Sequence, residues 1–256
     1  MHIDFGKTAQ DYGTHRAGFP DRFFERLFAG GIVRRGDRAL DLGTGTGTIA
    51  RGLSLRGCEV TGLDPSAPLL DQARQLDAAA GVNTEYVQAK AEATGLPDAS
   101  FDVVTAGQCW HWFDRATAAR EMRRVLRSGG RLVIAHFDWI PLPGNVVDAT
   151  EKLIERHNPA WKLAGGTGLH PRWLADAATA GFEDIETFSF DVPQAYSHEA
   201  WRGRIRASAG VAASLSPEAV VAFDRAHAAM LAERFPDDPL LVPHRVWVMT
   251  ARSPAG

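Results

Sequence analysis

Arg38-Ala-Leu-Asp-Leu-Gly-Thr-Gly-Thr-Gly-Thr-Ile-Ala50 decides the fold: a short apolar run ends in Asp41, three glycines alternate with threonines, and a helical pattern follows. The order reads as strand, tight turn, helix. Glycine at 43, 45 and 47 leaves the turn without Cβ atoms, so a ligand can press on bare backbone and on the N–H groups that open the next helix.

A helix from Thr48 to Arg56 leads to a second apolar run, Glu59-Val-Thr-Gly-Leu63, which ends at Asp64. A carboxylate at the tip of the second strand of a βαβ unit can accept both hydroxyl hydrogens of a ribose. Dinucleotides and S-adenosylmethionine both use this arrangement, and they differ in the charge they place over the turn. Asp41 would repel a pyrophosphate and favour the ammonium of an amino-acid moiety, directly or through water. Spacing is less decisive. From Gly43 the pattern is G-x-G-x-G, yet Gly45-x-Gly47-x-x-Ala50 fits the dinucleotide fingerprint. An NAD(P)-dependent oxidoreductase, and a helix-entry turn with no ligand, stay open on these residues alone.

The flanking segments continue the alternation. Phe23, Phe24, Leu27 and Phe28 recur at helical spacing before Gly30-Gly31. After Pro65-Ser66 a helix runs to about Ala80 with Leu69, Leu70, Ala73 and Leu76 on one face. Strands are expected at 84–88, 101–106, 131–136, 185–192 and 245–251, with helices at 115–126 and 170–180 between them. Gln108-Cys-Trp-His-Trp-Phe-Asp114 follows the fourth strand directly, at the carboxyl edge where ligands of open α/β sheets lie. Two stretches break the rhythm. Residues 137–169 hold a helix-like run from Val146 to Arg156, and residues 193–241 hold two more, near 198–209 and 217–234; both are expected to cover the ligand edge as a substrate cap.

The 256 residues are 45% hydrophobic and 23% charged, as in an ordinary globular chain with a sizeable core. A net charge of −3 argues against a nucleic-acid partner, and no run of eighteen apolar residues argues for a membrane one. Two distant cysteines, Cys58 and Cys109, and an N-terminus unlike a secretory signal make a reducing cytoplasm the expected location. The nine histidines show no ligand spacing such as H-x-x-x-H, so no metal site is expected.

Ala39-Leu-Asp-Leu-Gly-Thr-Gly-Thr-Gly47, Thr61-Gly-Leu-Asp-Pro-Ser66, Leu96-Pro-Asp-Ala-Ser-Phe-Asp-Val-Val104 and Arg123-Arg-Val-Leu-Arg-Ser-Gly-Gly-Arg-Leu-Val133, in that order and spacing, resemble a class I S-adenosylmethionine-dependent methyltransferase over residues 36–136. The resemblance implies a doubly wound, Rossmann-like α/β fold with a seven-stranded sheet, its last strand antiparallel, in one domain of 1–256. It implies an N-terminal cap and helix over 1–30 and a small-molecule acceptor. Asp41, Gly43, Thr44, Gly45 and Gly47 would hold the methionine part of S-adenosylmethionine, and Asp64 with Pro65 the ribose. Where such enzymes carry an Asp-Ala pair for the adenine, this chain has Lys90-Ala91 followed by Glu92, so Ala91 would donate its N–H and Glu92 accept from the exocyclic amine.

Gln108 to Asp114 resembles a Gln-x-x-His-Trp-x-Asp variant of one branch, which places Gln108 near the sulfonium. His111 is the candidate general base, because imidazole titrates near neutrality; the same residue could instead order its loop. Tyr12 and Arg16 in the cap, with Trp110, Trp112 and Trp139, are candidates for lining the acceptor site. A non-catalytic cofactor-binding protein of the same fold is the other alternative, and the residues specify no oligomeric state.

Overall fold

A computed structural model describes residues 18–255. Tyr12 and Arg16 lie outside the described residues. Helix α1 (Asp21–Ala29) precedes β1 (Arg38–Leu42), the glycine turn, α2 (Thr48–Ser54) and β2 (Glu59–Asp64); α3 (Ala67–Ala80), β3 (Glu85–Gln88) and β4 (Phe101–Gly107) follow. Then come α4 (Arg115–Val125), β5 (Leu126–Trp139), α5 (Val146–His157), α6 (Leu174–Thr179), β6 (Glu183–Tyr196), α7 (His198–Arg206), α8 (Pro217–Arg234) and β7 (Leu240–Arg252).

The seven strands form one sheet in the order β3-β2-β1-β4-β5-β7-β6. The pairs β1–β2, β1–β4, β2–β3 and β4–β5 are parallel, and the last strand is antiparallel. The doubly wound fold expected from the sequence is the one observed. In β1, Ala39, Leu40 and Leu42 have no exposed surface, as expected of a central parallel strand covered on both faces. The order changes direction between β1 and β4, so the crevice of this sheet opens where the glycine turn and the Gln108 loop leave it.

Helix ends follow local chemistry. Asp114, Asn145, Ser197 and Ser216 each accept a hydrogen bond from the N–H three residues on, capping α4, α5, α7 and α8. Gly81 closes α3 in the left-handed region, at φ 70°.

Several expectations are corrected. The buried face of α3 is Leu70, Ala73 and Asp77, while Leu76 is exposed. Asp77 is turned inward by Arg51 and Tyr86, and this ion-paired contact sets the helix rotation over the apolar count. The segment expected as one helix at 170–180 is a 3-10 turn, Pro171–Trp173, followed by the short α6. The outer strands run longer than expected and include Pro193 and Pro243. Proline lacks only a donor, and the Pro243 carbonyl still accepts from the Ile140 N–H at 2.9 Å. Strand β5 starts at Leu126, five residues early, because the 127–130 turn shifts register between Phe101 and Val103 rather than ending the ladder.

The described chain divides into two compact units, with boundaries inside β5, β6 and β7. One comprises Gly18–Phe137, His170–Ser189 and the end of the chain from Val246. Its core joins Leu40, Leu42 and Leu63 to Trp110, Met122 and Trp247. The other comprises Asp138–Leu169 and Phe190–Arg245, with its own core of Val147, Ile154, Trp201, Phe223 and Leu231.

Candidate active site

The glycine turn is fastened from below by Asp41. Its carboxylate is 2% exposed and accepts from the Thr44 hydroxyl at 2.7 Å and the Thr105 hydroxyl at 2.6 Å. Burial pushes its pKa up to about 6 against those two hydrogen bonds. Asp64, at the end of the neighbouring strand, is held differently. One oxygen accepts the Gly45 N–H at 3.0 Å and the other the Ser66 N–H at 2.9 Å. Burial raises its pKa too, opposed by those backbone donors.

The three turn glycines do different work. Gly43, Gly45 and Gly47 all have positive φ, of 61°, 55° and 79°. A Cβ on Gly43 would lie 2.8 Å from Cys109 Cβ, and one on Gly47 would lie 2.4 Å from the Tyr86 hydroxyl, so protein already fills both places. A Cβ on Gly45 would meet nothing within 4 Å. That open backbone, with Asp64 on its N–H, is a cradle a ligand can fill. The sequence predicts three bare positions and the structure keeps one.

Tyr86 is a support that sequence reasoning missed. It donates to Asp77 at 2.8 Å; Asp77 pairs with Arg51 at 2.8 Å; and Arg51 donates to the Thr46 carbonyl in the turn at 2.7 Å. Gly62 makes room for the Tyr86 ring, since a Cβ there would lie 2.6 Å from it. Signals for this brace were present only as a glycine inside β2 and an acid on an expected apolar face.

Two loops complete this edge of the sheet. Ala91 is buried in the core, and the Glu92 carboxylate accepts the Asp114 N–H at 2.9 Å, which ties the expected adenine loop to the Gln108–Asp114 loop. Pro65 is exposed, and its carbonyl accepts from the Gln88 side chain at 3.0 Å. Gln108 takes φ 58°, an uncommon conformation for a residue with a side chain, while its N–H bonds the Ala135 carbonyl at 2.8 Å. Such strain concentrates at sites where it is used.

The three tryptophans expected at the acceptor site separate. Trp110 is fully buried, edge-on to Phe113, with its indole N–H donating to Asp176 at 3.0 Å. It is a core residue, and its expected lining role is corrected. Trp112 is half-exposed beside His111, at 4.5 Å between ring centroids. Trp139 belongs to the other unit, where it donates to Glu151 at 2.8 Å.

His111 is exposed, and it is not isolated among imidazoles as the sequence suggests. Its ring lies 5.3 Å from that of His136, which lies 4.4 Å from that of His170, itself stacked on Trp173 at 4.1 Å. Nothing in the spacing of positions 111, 136 and 170 signals this, because the loop after β4, strand β5 itself and the residue that precedes the 3-10 turn bring them together.

A methyltransferase-domain family model matches residues 40–134. An uncharacterised methyltransferase of Mycobacterium tuberculosis is 38% identical over 132 residues, covering 52% of this chain and 51% of its own. A malonyl-acyl-carrier-protein O-methyltransferase of Pseudescherichia vulneris is 33% identical over 201 residues, covering 78% of this chain and 67% of its own. The chain spans about half the length of the first curated relatives it matches. A solved methyltransferase structure from Anaeromyxobacter dehalogenans superposes with a TM-score of 0.67 at 26% identity, over 94% of this chain and 99% of that one.

Proposed function

The chain belongs to the class I S-adenosylmethionine-dependent methyltransferases, and from that premise we propose that it binds S-adenosylmethionine and passes its methyl group to a small-molecule acceptor. The observation that carries the proposal is the open backbone at Gly45 held by the Asp64 carboxylate. Asp41, Gly43, Thr44, Gly45 and Gly47 bind the amino-acid end, Asp64 and Pro65 the ribose, and Ala91 and Glu92 the adenine, with Gln108 beside the sulfonium. The bound cofactor supplies an electrophilic methyl group.

The residues of the chain contribute chiefly position. A nucleophile held in line with the methyl–sulfur bond in a dry site needs little acid–base help. His111, next to the His136 ring, takes a proton from acceptors that must lose one. Trp112 gives the acceptor apolar surface. Relatives named for demethylmenaquinone and 27-O-demethylrifamycin SV support a small-molecule acceptor, and one named for malonyl-acyl-carrier protein supports a small acyl group as the methylated part. Among the described residues no helix is long and apolar enough to cross a membrane, and a cytoplasmic location without a nucleic-acid partner is part of the same reading.

Calorimetric titration with S-adenosylhomocysteine and, separately, NADH tests this directly. Micromolar binding of the first alone, weakened in Asp64→Ala, is the expected result. Binding of NADH instead would overturn it, and cofactor binding with no turnover across an acceptor screen would leave a non-catalytic member of the fold.

A further inference from the structure

The loop after β4 is held unevenly along its length. Its first half is bolted to the core: the Gln108 N–H bonds the Ala135 carbonyl at 2.8 Å, the Cys109 thiol reaches the Leu42 carbonyl at 3.2 Å, and the buried Trp110 donates to Asp176 at 3.0 Å. Its second half rises to the surface, where His111, Trp112 and Asp114 are exposed. At its end the Asp114 N–H goes to the Glu92 carboxylate at 2.9 Å. The Asp114 carboxylate is used separately, capping α4 through the Thr117 N–H at 3.2 Å. One residue thus ends the loop and opens the helix, and Glu92 holds its backbone.

Glu92 is presented by a tight turn. The Ala93 N–H bonds the Lys90 carbonyl at 3.1 Å, which puts Ala91 and Glu92 at the two central positions. Just beyond, Thr94 fastens the same segment to α4 a second time. Its N–H and its hydroxyl both go to Glu121, at 2.9 and 2.5 Å, and Arg124 pairs with Glu121 at 2.6 Å. That guanidinium holds the Glu121 carboxyl well below the usual carboxylate range. Asp114 and Glu121 are two turns apart, about 10 Å along the axis at the rise of an α-helix. The segment after β3 therefore grips α4 at two points. The far grip is a charged cluster, and the near grip is one hydrogen bond at the surface. The near grip is the one that can respond to a ligand.

Glu92 is half-buried, and only one of its oxygens is engaged; among the described residues no group donates to the other. The free oxygen belongs to the residue read above as the acceptor for the exocyclic amine of adenine. A donor arriving there would fix the side chain in the rotamer that meets Asp114. A glutamate already ordered at one oxygen does not lose that freedom a second time at the other, so the two hydrogen bonds reinforce each other.

We propose that Glu92 is a positioning residue that couples the adenine of the cofactor to the 111–114 half of the acceptor loop, so that arrival of the base sets the His111 and Trp112 face. The adenine half of this inference rests on the S-adenosylmethionine reading; the hold of Glu92 on Asp114 does not.

The probes are S-adenosylhomocysteine and S-inosylhomocysteine, in which an oxygen replaces the exocyclic amine. Amide hydrogen exchange of residues 108–117 is measured on the full chain, free and with each ligand at saturation, and affinities are read by calorimetry. S-adenosylhomocysteine should slow exchange at Asp114 about tenfold, and S-inosylhomocysteine less than about twofold. The Gln108 amide, bonded into β5, should change by less than about twofold with either and serves as the internal reference. The inosyl analogue should bind about tenfold more weakly, a preference that vanishes in Glu92→Ala.

Glu92→Ala should also speed Asp114 exchange about tenfold in the free chain and abolish the response to ligand. Glu92→Gln, with one acceptor oxygen in place of two, should keep free-chain protection to within about threefold and lose the response. Equal slowing by both ligands, or an unaltered response in Glu92→Ala, would overturn the coupling. Free-chain exchange at Asp114 unchanged by Glu92→Ala would overturn the hold itself. If Glu92→Ala fails to fold, Glu92→Gln carries the same test. No binding of S-adenosylhomocysteine to the unmodified chain would instead sink the methyltransferase reading together with the adenine half of the proposal, and the free-chain comparison would still decide the hold on Asp114.

Discussion

The ends of β1 and β2 each present an aspartate to the same edge of the sheet, and the two are held in opposite ways. Asp41 is fixed by two side-chain hydroxyls under the glycine turn. Asp64 is fixed by two backbone N–H groups at its edge. Hydroxyls from Thr44 and Thr105 link β1 to the turn and to β4, so Asp41 is part of the frame. Backbone donors from Gly45 and Ser66 only aim Asp64, whose oxygens keep lone pairs for a further donor. A pair that looks equivalent in sequence therefore divides into one member that also fastens the frame and one that is directed at ligand alone.

The largest effect that would sharpen this division is on Asp41→Ala. It leaves two buried hydroxyls without their acceptor and should cost about 3 kcal/mol of stability along with homocysteine-product binding, as read by urea unfolding and calorimetry. An intact fold with only binding lost would break the distinction.

The acid response of Asp41 comes next. Its folded pKa, about 6, is raised above the ordinary 3.8, so the folded state holds the proton more tightly. Ionised Asp41 thus burdens the fold above pH 6, and the burden is relieved as pH falls from 6 toward 3.8. Against Asp41→Asn, which does not titrate, the wild type should gain about 2 kcal/mol of relative stability between pH 7 and pH 4. A flat difference would show that burial does not govern this carboxyl.

Asp64→Ala should do the reverse of Asp41→Ala. Stability should move by less than about 1 kcal/mol, while homocysteine-product affinity falls about 30-fold. Equal loss of both properties would make the two acids alike after all. The smallest effect is Tyr86→Phe, which removes one hydrogen bond to Asp77 and should cost about 1 kcal/mol with a modest weakening of cofactor binding. No change in either would mean that Arg51 holds the turn without help from β3.

The strands and the helices from α1 to α4 were legible because their apolar periods are clear and their caps are local, as with Gly81 and Asp114. The glycine turn and both strand-end acids were legible for the same reason: each lies within a few residues of what it serves. What escaped was carried by contacts distant in sequence. Asp77 was hidden because a helical face rotated by an ion pair leaves no periodic trace. Trp110 was misread because a tryptophan in a polar loop can still reach the core through Asp176. The approach of His111 to His136, and the stacking of Arg204 on Trp139, depend on chain crossings that no local window contains.

Gly45 carries a consequence for how selection would read this turn. With nothing near its missing Cβ, alanine there burdens the empty protein only with an unfavourable left-handed backbone. A library sorted for folding alone would tolerate Gly45→Ala far better than the same change at 43 or 47, whereas one sorted for methyl transfer would reject all three. Subtracting the first map from the second would trace, along the main chain, the outline of the molecule that lies there.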